Sequence, residues 1–307
     1  MYTVNSFIQA SAVMQESMEA SDLFCALVGA AAHDYKHDGV NNAFHINTGS
    51  PLALRYNDIS VLESYHAAEL YILTSGDDSV NIFSCLDVEQ FKEVRKMITT
   101  AILGTDMTKH FNHIADFESR LAAEKAINDN PEVAEHSGSE QRLDKGIMIE
   151  MALHCADISN PIKDITVYKK WVNVVMTEFY AQGDKERDLG MPISAMFDRN
   201  NSSVTKTQCG FIEFIIRPIY KVWGDFIPEL AQTFTDNLDA GKAFKWDEWF
   251  KLKQEEKKAE LPEVEKSIKE EPEQEAATTE DIKDHQTNEE EPKKMEESQS
   301  TPALAGA

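Results

Sequence analysis

From Met1 to about Phe250 apolar residues recur every few positions, and beyond that point the pattern ends. Leu23 to Ala32 is small and apolar, suited to a buried helix that runs into His33. Asp38 to Asp58, rich in Asn, Gly and Pro, reads as a long ordered loop. Ser60 and Glu63 have the spacing of a capping box, in which two side chains satisfy unpaired N–H groups at a helix start, and Val61, Leu62, Tyr65, Ala68, Leu70 and Ile72 follow. Asp87 and Gln90 repeat that signal ahead of Val88, Phe91, Val94, Ile98, Ala101 and Ile102, which trace one helical face. A further helix is expected from about Phe111 to Ala126, then a polar loop over 127–143. Helical character returns at Ile147 to Ala156 and at Val167 to Gln182, where Trp171, Val174, Val175, Glu178 and Phe179 are expected to share a face. Gly183 to Lys206 reads as a long connection, and Pro218 should kink or divide the apolar block from Cys209 to Phe234. No segment alternates like a strand. Eight or more helices with several long connections predict a compact all-α domain rather than a simple bundle, whose connections stay short.

Charge sharpens the boundary. Residues 251–307 hold 17 Asp/Glu, 9 Lys and no aromatic side chain, so this segment cannot bury enough apolar surface to offset its ordering entropy. It is read as an acidic tail, helical to about 258 and disordered beyond, where a regulatory protein partner could dock. Of the net charge of −24, −8 falls there and −16 on residues 1–250, which argues against nucleic acid as a partner. Cys25, Cys85, Cys155 and Cys209 have no metal-knuckle or disulfide spacing and read as reduced residues of a cytoplasmic protein. No apolar run approaches the roughly 20 residues needed to cross a bilayer.

The sharpest chemical signal is His33-Asp34-Tyr35-Lys36-His37, directly after the apolar helix. An adjacent imidazole and carboxylate offer a nitrogen and an oxygen of the kinds zinc, manganese or iron accept, although a hydrogen-bonded core histidine would look the same. Other candidates are Glu63 and His66, three apart; Thr105-Asp106 after an apolar helix; and His154 with Asp157 in MALHCADISN. The capping box explains Glu63 as well as function does. His110 and His113 read as surface or outer residues and stay outside the site.

Six motifs in order, HDYKHDGVNN (33–42), YNDISVLESYH (56–66), GTDMTKHF (104–111), LHCADISNP (153–161), EFYAQGDKE (178–186) and QCGFIEFIIRP (208–218), give the stretch from about 20 to 250 its identity. It resembles the catalytic domain of class I cyclic nucleotide phosphodiesterases, an HD-type metal phosphohydrolase fold. The resemblance implies an all-helical domain over 1–250 that hydrolyses cAMP or cGMP to the 5′-monophosphate with two divalent metals, zinc in the tighter site and magnesium or manganese in the other. It makes His33, Asp34 and Asp157 ligands of the first metal, with Asp34 bridging to a second whose waters are held by His37, Glu63 and Thr105. A hydroxide activated by the two metals would attack phosphorus. Gln208 resembles the purine-reading glutamine, Phe211 the aromatic that stacks on the base, and Asn160 and Val175 other walls of the pocket. Asn160 points to cAMP preference with some cGMP activity.

The family also carries a general-acid histidine and a further metal histidine upstream of the HD motif, whereas no histidine precedes His33 here. The chain is therefore expected to be an N-terminally truncated form of an active enzyme. As it stands it is expected to hydrolyse poorly, since a general acid contributes roughly 10²–10⁴-fold in rate. Two other readings stand beside this one: a nucleotide-binding pseudoenzyme, and a general HD-type nucleotide phosphohydrolase, against which the Gln208–Phe211 segment argues.

Overall fold

The computed structural model describes residues 1–129 and 143–256, and residues 1–255 form one compact unit. The N-terminal part is built from α1 (Tyr2–Ala10), α2 (Ala12–Ser17), α3 (Ala20–Ala32), α4 (Asn42–Asn47), α5 (Pro51–Tyr56), α6 (Val61–Gly76), α7 (Val88–Leu103) and α8 (His110–Asp129). After the 130–142 gap come α9 (Lys145–Asp157), a short 3₁₀ turn at Asn160–Ile162, α10 (Ile165–Asp188), α11 (Val204–Phe211), a π turn at Ile212–Ile216, α12 (Arg217–Phe226), α13 (Pro228–Ala243) and α14 (246–256). No strand occurs among the described residues, as the absence of alternation predicts.

The small side chains of α3 have a packing reason. Ala26 and Ala30 are buried, and Gly29 lies where an added Cβ would rest 3.6 Å from Leu153 of α9, so α3 packs closely on both α7 and α9. That contact fixes the end of α3 beside the end of α9. The capping box ahead of α7 forms on both sides, and Val94, Ile98, Ala101 and Ile102 are buried, although Val88 is exposed. The second half is anchored by Trp223, fully buried, with ring contacts to Phe7 at 5.5 Å, Phe117 at 5.6 Å and Phe226 at 5.2 Å.

Several expectations are corrected. The stretch 38–58 is not a loop: Asn41 and Ser50 each cap a short helix through a side-chain oxygen, Pro51 opens α5, and Asn57 closes it in the left-handed region at φ 55°. The polar punctuation marks helix ends there. On α10 the packed stripe is Tyr168, Val172, Met176 and Tyr180, whereas Trp171 and Val174, on the face read from the sequence, are 52% and 57% exposed, so that face is largely the outer one. That helix also continues to Asp188, which moves Gly183 out of the connection and into a helix. Gly183 is required there: a Cβ would lie 2.1 Å from the backbone oxygen of Phe197. Pro218 sits in the first turn of α12 just after the π turn. Its ring crowds the carbonyl four residues back and it donates no N–H, so the helix opens rather than ends.

The expected loop over 127–143 starts inside α8, and its remainder lies outside the described residues. Helix continues to 256 at the C-terminus, where Trp246 and Phe250 are buried. The expectation of disorder beyond about 258 falls outside the described residues. All four cysteines are free, with Cys25 and Cys155 buried. No helix among the described residues is long and apolar enough to cross a membrane.

Candidate functional site

His33 follows the last residue of α3. Its Nδ1 donates to the carbonyl of Ala30 at 3.1 Å, which turns Nε2 outward to Asp157 Oδ1 at 3.1 Å and Asp34 Oδ2 at 3.4 Å. Asp157 is the last residue of α9, so the packing of α3 on α9 closes this first group. Burial pushes the His33 imidazolium down, but the hydrogen bond from Asp157 and the charges of Asp157 and Asp34 outweigh it and raise the group to about 9. The proton on Nε2 marks a point where two carboxylates call for positive charge.

Asp34 also faces a second group. Its Oδ1 lies 3.8 Å from His66 Nε2, and the His37 ring stacks on that of His66 at 5.7 Å between centroids. His66 is buried on α6, and its Nδ1 donates to the carbonyl of Tyr35 at 2.7 Å. That bond leaves Nε2 bare, and this nitrogen has no hydrogen-bond partner. A buried lone pair without a donor is expensive in a finished site and ordinary at a ligand position. His33, Asp34 and Asp157 form one group able to hold an ion, and Asp34, His37 and His66 form another, with all ligand atoms within 4.8 Å in each. The nitrogen and oxygen donors fit divalent metals of the zinc, manganese and magnesium type. The sequence offers His66 as a candidate through its three-residue spacing from Glu63 on one helical face, but the family resemblance gave it no role.

The capping role expected of Glu63 is corrected. Ser60 lies in the left-handed region at φ 42° and makes no cap hydrogen bond, so the expected capping box is absent. The Ser60 hydroxyl instead donates to Asp106 Oδ2 at 2.7 Å, and Asn42 Nδ2 donates to both oxygens of Glu63, at 2.9 and 3.2 Å. Burial raises the Glu63 carboxyl despite the bond from Asn42. Thr105 is buried, and its hydroxyl donates to the carbonyl of Ile102 at 2.8 Å, which leaves its oxygen lone pairs as the reactive feature.

Asn160 opens the 3₁₀ turn three residues beyond Asp157 and is half-buried, as is Val175 on α10. Gln208 on α11 is buried; its Oε1 accepts from the Tyr168 hydroxyl at 2.8 Å, and its Nε2 lies 3.8 Å from the Met176 sulfur. Phe211, three residues on, is half-buried against the core. Tyr168 was not singled out in the sequence, where an aromatic at helical spacing gives no sign that its hydroxyl holds a glutamine 40 residues later in the chain.

Of the two readings given for His110, surface or outer residue, burial corrects the first. His110 is buried, and its Nε2 donates to the carbonyl of Ile215 at 3.1 Å while its Nδ1 is 2.9 Å from His154 Nε2. His113 is partly buried, 3.6 Å from Glu150, with its ring 5.5 Å from that of His154. Burial lowers all three imidazoles, His154 to about 3.

An all-helical domain whose helix ends gather two His/Asp groups around one shared carboxylate has the features of a metal-dependent hydrolase. The family model for 3′5′-cyclic nucleotide phosphodiesterase matches residues 1–238. The chain belongs to that family. It is 38% identical over 219 residues to the Drosophila melanogaster 3′,5′-cyclic-AMP phosphodiesterase, isoform F, covering 71% of this chain and 32% of the relative. Isoforms N/G of the same enzyme give 38% identity over 219 residues and 22% of their length, so the chain spans a third or less of these curated relatives. The crystal structure of the phosphodiesterase domain of the RhoPDE fusion protein from the choanoflagellate Salpingoeca rosetta superposes with a TM-score of 0.68 at 28% identity, covering 83% of this chain and 76% of that one. Two His/Asp groups able to hold an ion lie within the part of the chain that the family model matches.

Proposed function

We propose that this chain hydrolyses 3′,5′-cyclic nucleotides to nucleoside 5′-monophosphates, with cAMP preferred over cGMP. The observation that carries the reading is the pair of His/Asp groups sharing Asp34. In this reading His33, Asp34 and Asp157 hold the first metal, zinc. Asp34 and His66 would reach the second, magnesium or manganese, with His37, Glu63 and Thr105 placed to hydrogen-bond its waters. Such ions would lower the pKa of water and neutralise charge on the phosphoryl oxygens. The chain's own side chains then orient. Asn42 fixes both Glu63 oxygens, and the raised Glu63 carboxyl can accept or return a proton on a neighbouring water.

Gln208 reads the purine edge, Phe211 stacks on the ring, and Asn160 and Val175 line the wall. With Tyr168 donating to Oε1 and Nε2 set against the Met176 sulfur, the Gln208 amide is held one way round, leaving a second Oε1 lone pair and a second Nε2 hydrogen for a base. Adenine offers a donor and an acceptor on that edge, and guanine reverses them. A mismatch leaves buried polar groups unpaired at about 1–3 kcal/mol, roughly ten- to hundredfold in preference. The cAMP assignment also agrees with the Drosophila relatives, which are 3′,5′-cyclic-AMP phosphodiesterases.

The test is release of 5′-monophosphate from cAMP and cGMP by metal-loaded protein, with metal content measured alongside. Expected are a higher kcat/KM for cAMP, loss on chelation, and loss of one metal equivalent together with activity in Asp157→Ala. No metal-dependent release, or unchanged metal in Asp157→Ala, refutes the reading, and a cGMP value equal to or above that for cAMP refutes the preference.

A further inference from the structure

Three buried features with no part in the chemistry so far converge on one place: His110, His154 and the π turn. The Ile215 carbonyl can only accept, so His110 Nε2 carries a hydrogen; its Nδ1 is then bare and must accept from His154 Nε2–H. The tautomers of both rings follow, and a directed relay runs from His154 through His110 to a carbonyl inside the π turn. His154 lies on α9 one turn before Asp157. The π turn begins at the residue after Phe211, and Gln208 lies one turn further back on the same continuous helix.

A π turn holds one residue more than an α turn, so closing it to α geometry would rotate the upstream helix by about 100° relative to the downstream one. Downstream, α12 is pinned by Trp223 and by Tyr220, whose hydroxyl donates to the carbonyl of Cys155 at 2.6 Å. The rotation would therefore fall on Gln208 and Phe211. We propose that His110 is a positioning residue for nucleotide recognition: its Nε2–H holds the π turn open and, through His154, fixes the register of Gln208 and Phe211 against the helix that carries Asp157. The inference deepens the nucleotide-binding reading above and rests on it.

The test compares wild type, His110→Leu, His110→Gln and His110→Asn, all zinc- and magnesium-loaded. It reads metal content, the affinity for the non-hydrolysable phosphorothioate analogue of cAMP, and amide exchange over residues 212–217. Leu fills the cavity without a donor, Gln extends a donor to the Nε2 position, and Asn reaches only as far as Nδ1. Expected is affinity weakened about tenfold or more in His110→Leu with metal unchanged and faster exchange at 212–217, as befits loss of a buried hydrogen bond and of register. His110→Gln should recover most of both signals and His110→Asn should not. Unaltered affinity and exchange in His110→Leu would overturn the inference, as would His110→Gln behaving like His110→Leu. If His110→Leu does not fold, the Gln and Asn variants decide, and equal behaviour of the two overturns it. Failure of the wild type to bind the analogue is a failure of the proposed function instead, and the exchange data then judge the π turn alone.

Discussion

Acidification probes the buried histidines directly. His154 is fully buried, and burial, with smaller contributions from the His110 and His113 rings, holds its imidazole at about 3 instead of 6.5. The folded chain keeps the ring neutral where the unfolded chain protonates it. A base depressed in the folded state contributes stability that is complete above its unfolded value and is lost as pH falls from 6.5 toward about 3. A pH of about 5 lies roughly 1.5 units below the unfolded value, so about 2 kcal/mol is lost relative to pH 7.5. His110 and His113 are lowered as well and add in the same direction. His33 works the opposite way: raised to about 9, it contributes stability that is complete below its unfolded value and is lost as pH rises through about 9. The assay is urea unfolding in chelator at about pH 5 and 7.5 for wild type and His154→Gln, whose amide can still donate to His110. The His33 share is common to both proteins and cancels. Wild type should lose about 2 kcal/mol more than the variant between the two pH values; equal losses would refute the assignment of acid sensitivity to this ring.

Gly183→Ala should destabilise the fold by about 1–3 kcal/mol or more, since the rigid Phe197 backbone must move, and a thermal melt within a degree of wild type would contradict that. Tyr168→Phe removes the hydroxyl that holds Gln208 Oε1 and should narrow the ratio of kcat/KM for cAMP over cGMP; an unchanged ratio would show that something else orients the amide. Glu186 is buried and accepts from Gln182 Nε2 at 2.8 Å, Ser194 N at 2.6 Å and Ser194 Oγ at 2.7 Å. Glu186→Ala strands three donors and should cost about 2–5 kcal/mol in denaturant unfolding, whereas a loss under about 1 kcal/mol would mean that water replaces the carboxylate.

Ser60-x-x-Glu63 and Asp87-x-x-Gln90 have the same spacing, yet only the second forms a capping box. The first is diverted by partners distant in the chain, Asp106 for Ser60 and Asn42 for Glu63, which no local pattern reveals. Element type was legible wherever a strongly periodic apolar face exists, as on α7. It was misread where the largest apolar residues lie outside, as at Trp171 and Val174, and where capping residues looked like loop, as at Asn41 and Ser50. Within the site, the HD pair announced itself by adjacency. His66 and His110 did not, because burial and a bare ring nitrogen are properties of the folded chain and not of the residue type.

The two His/Asp groups able to hold an ion differ in how far along the chain their members lie. Asp34, His37 and His66 come from one stretch of 33 residues, while His33 meets Asp157 across a separation of 124. Asn41, between them in sequence, is clamped to Gln182 across 141 residues. During synthesis the first of these groups has all its ligands once α6 leaves the ribosome, whereas the other waits for α9, and the clamp on Asn41 waits for most of α10. Because non-local contacts form only after the intervening chain has been ordered, the centre matures in two stages. A nascent chain halted between residues 66 and 157 would carry the histidine-rich half of the site without the Asp157 carboxylate that completes the other.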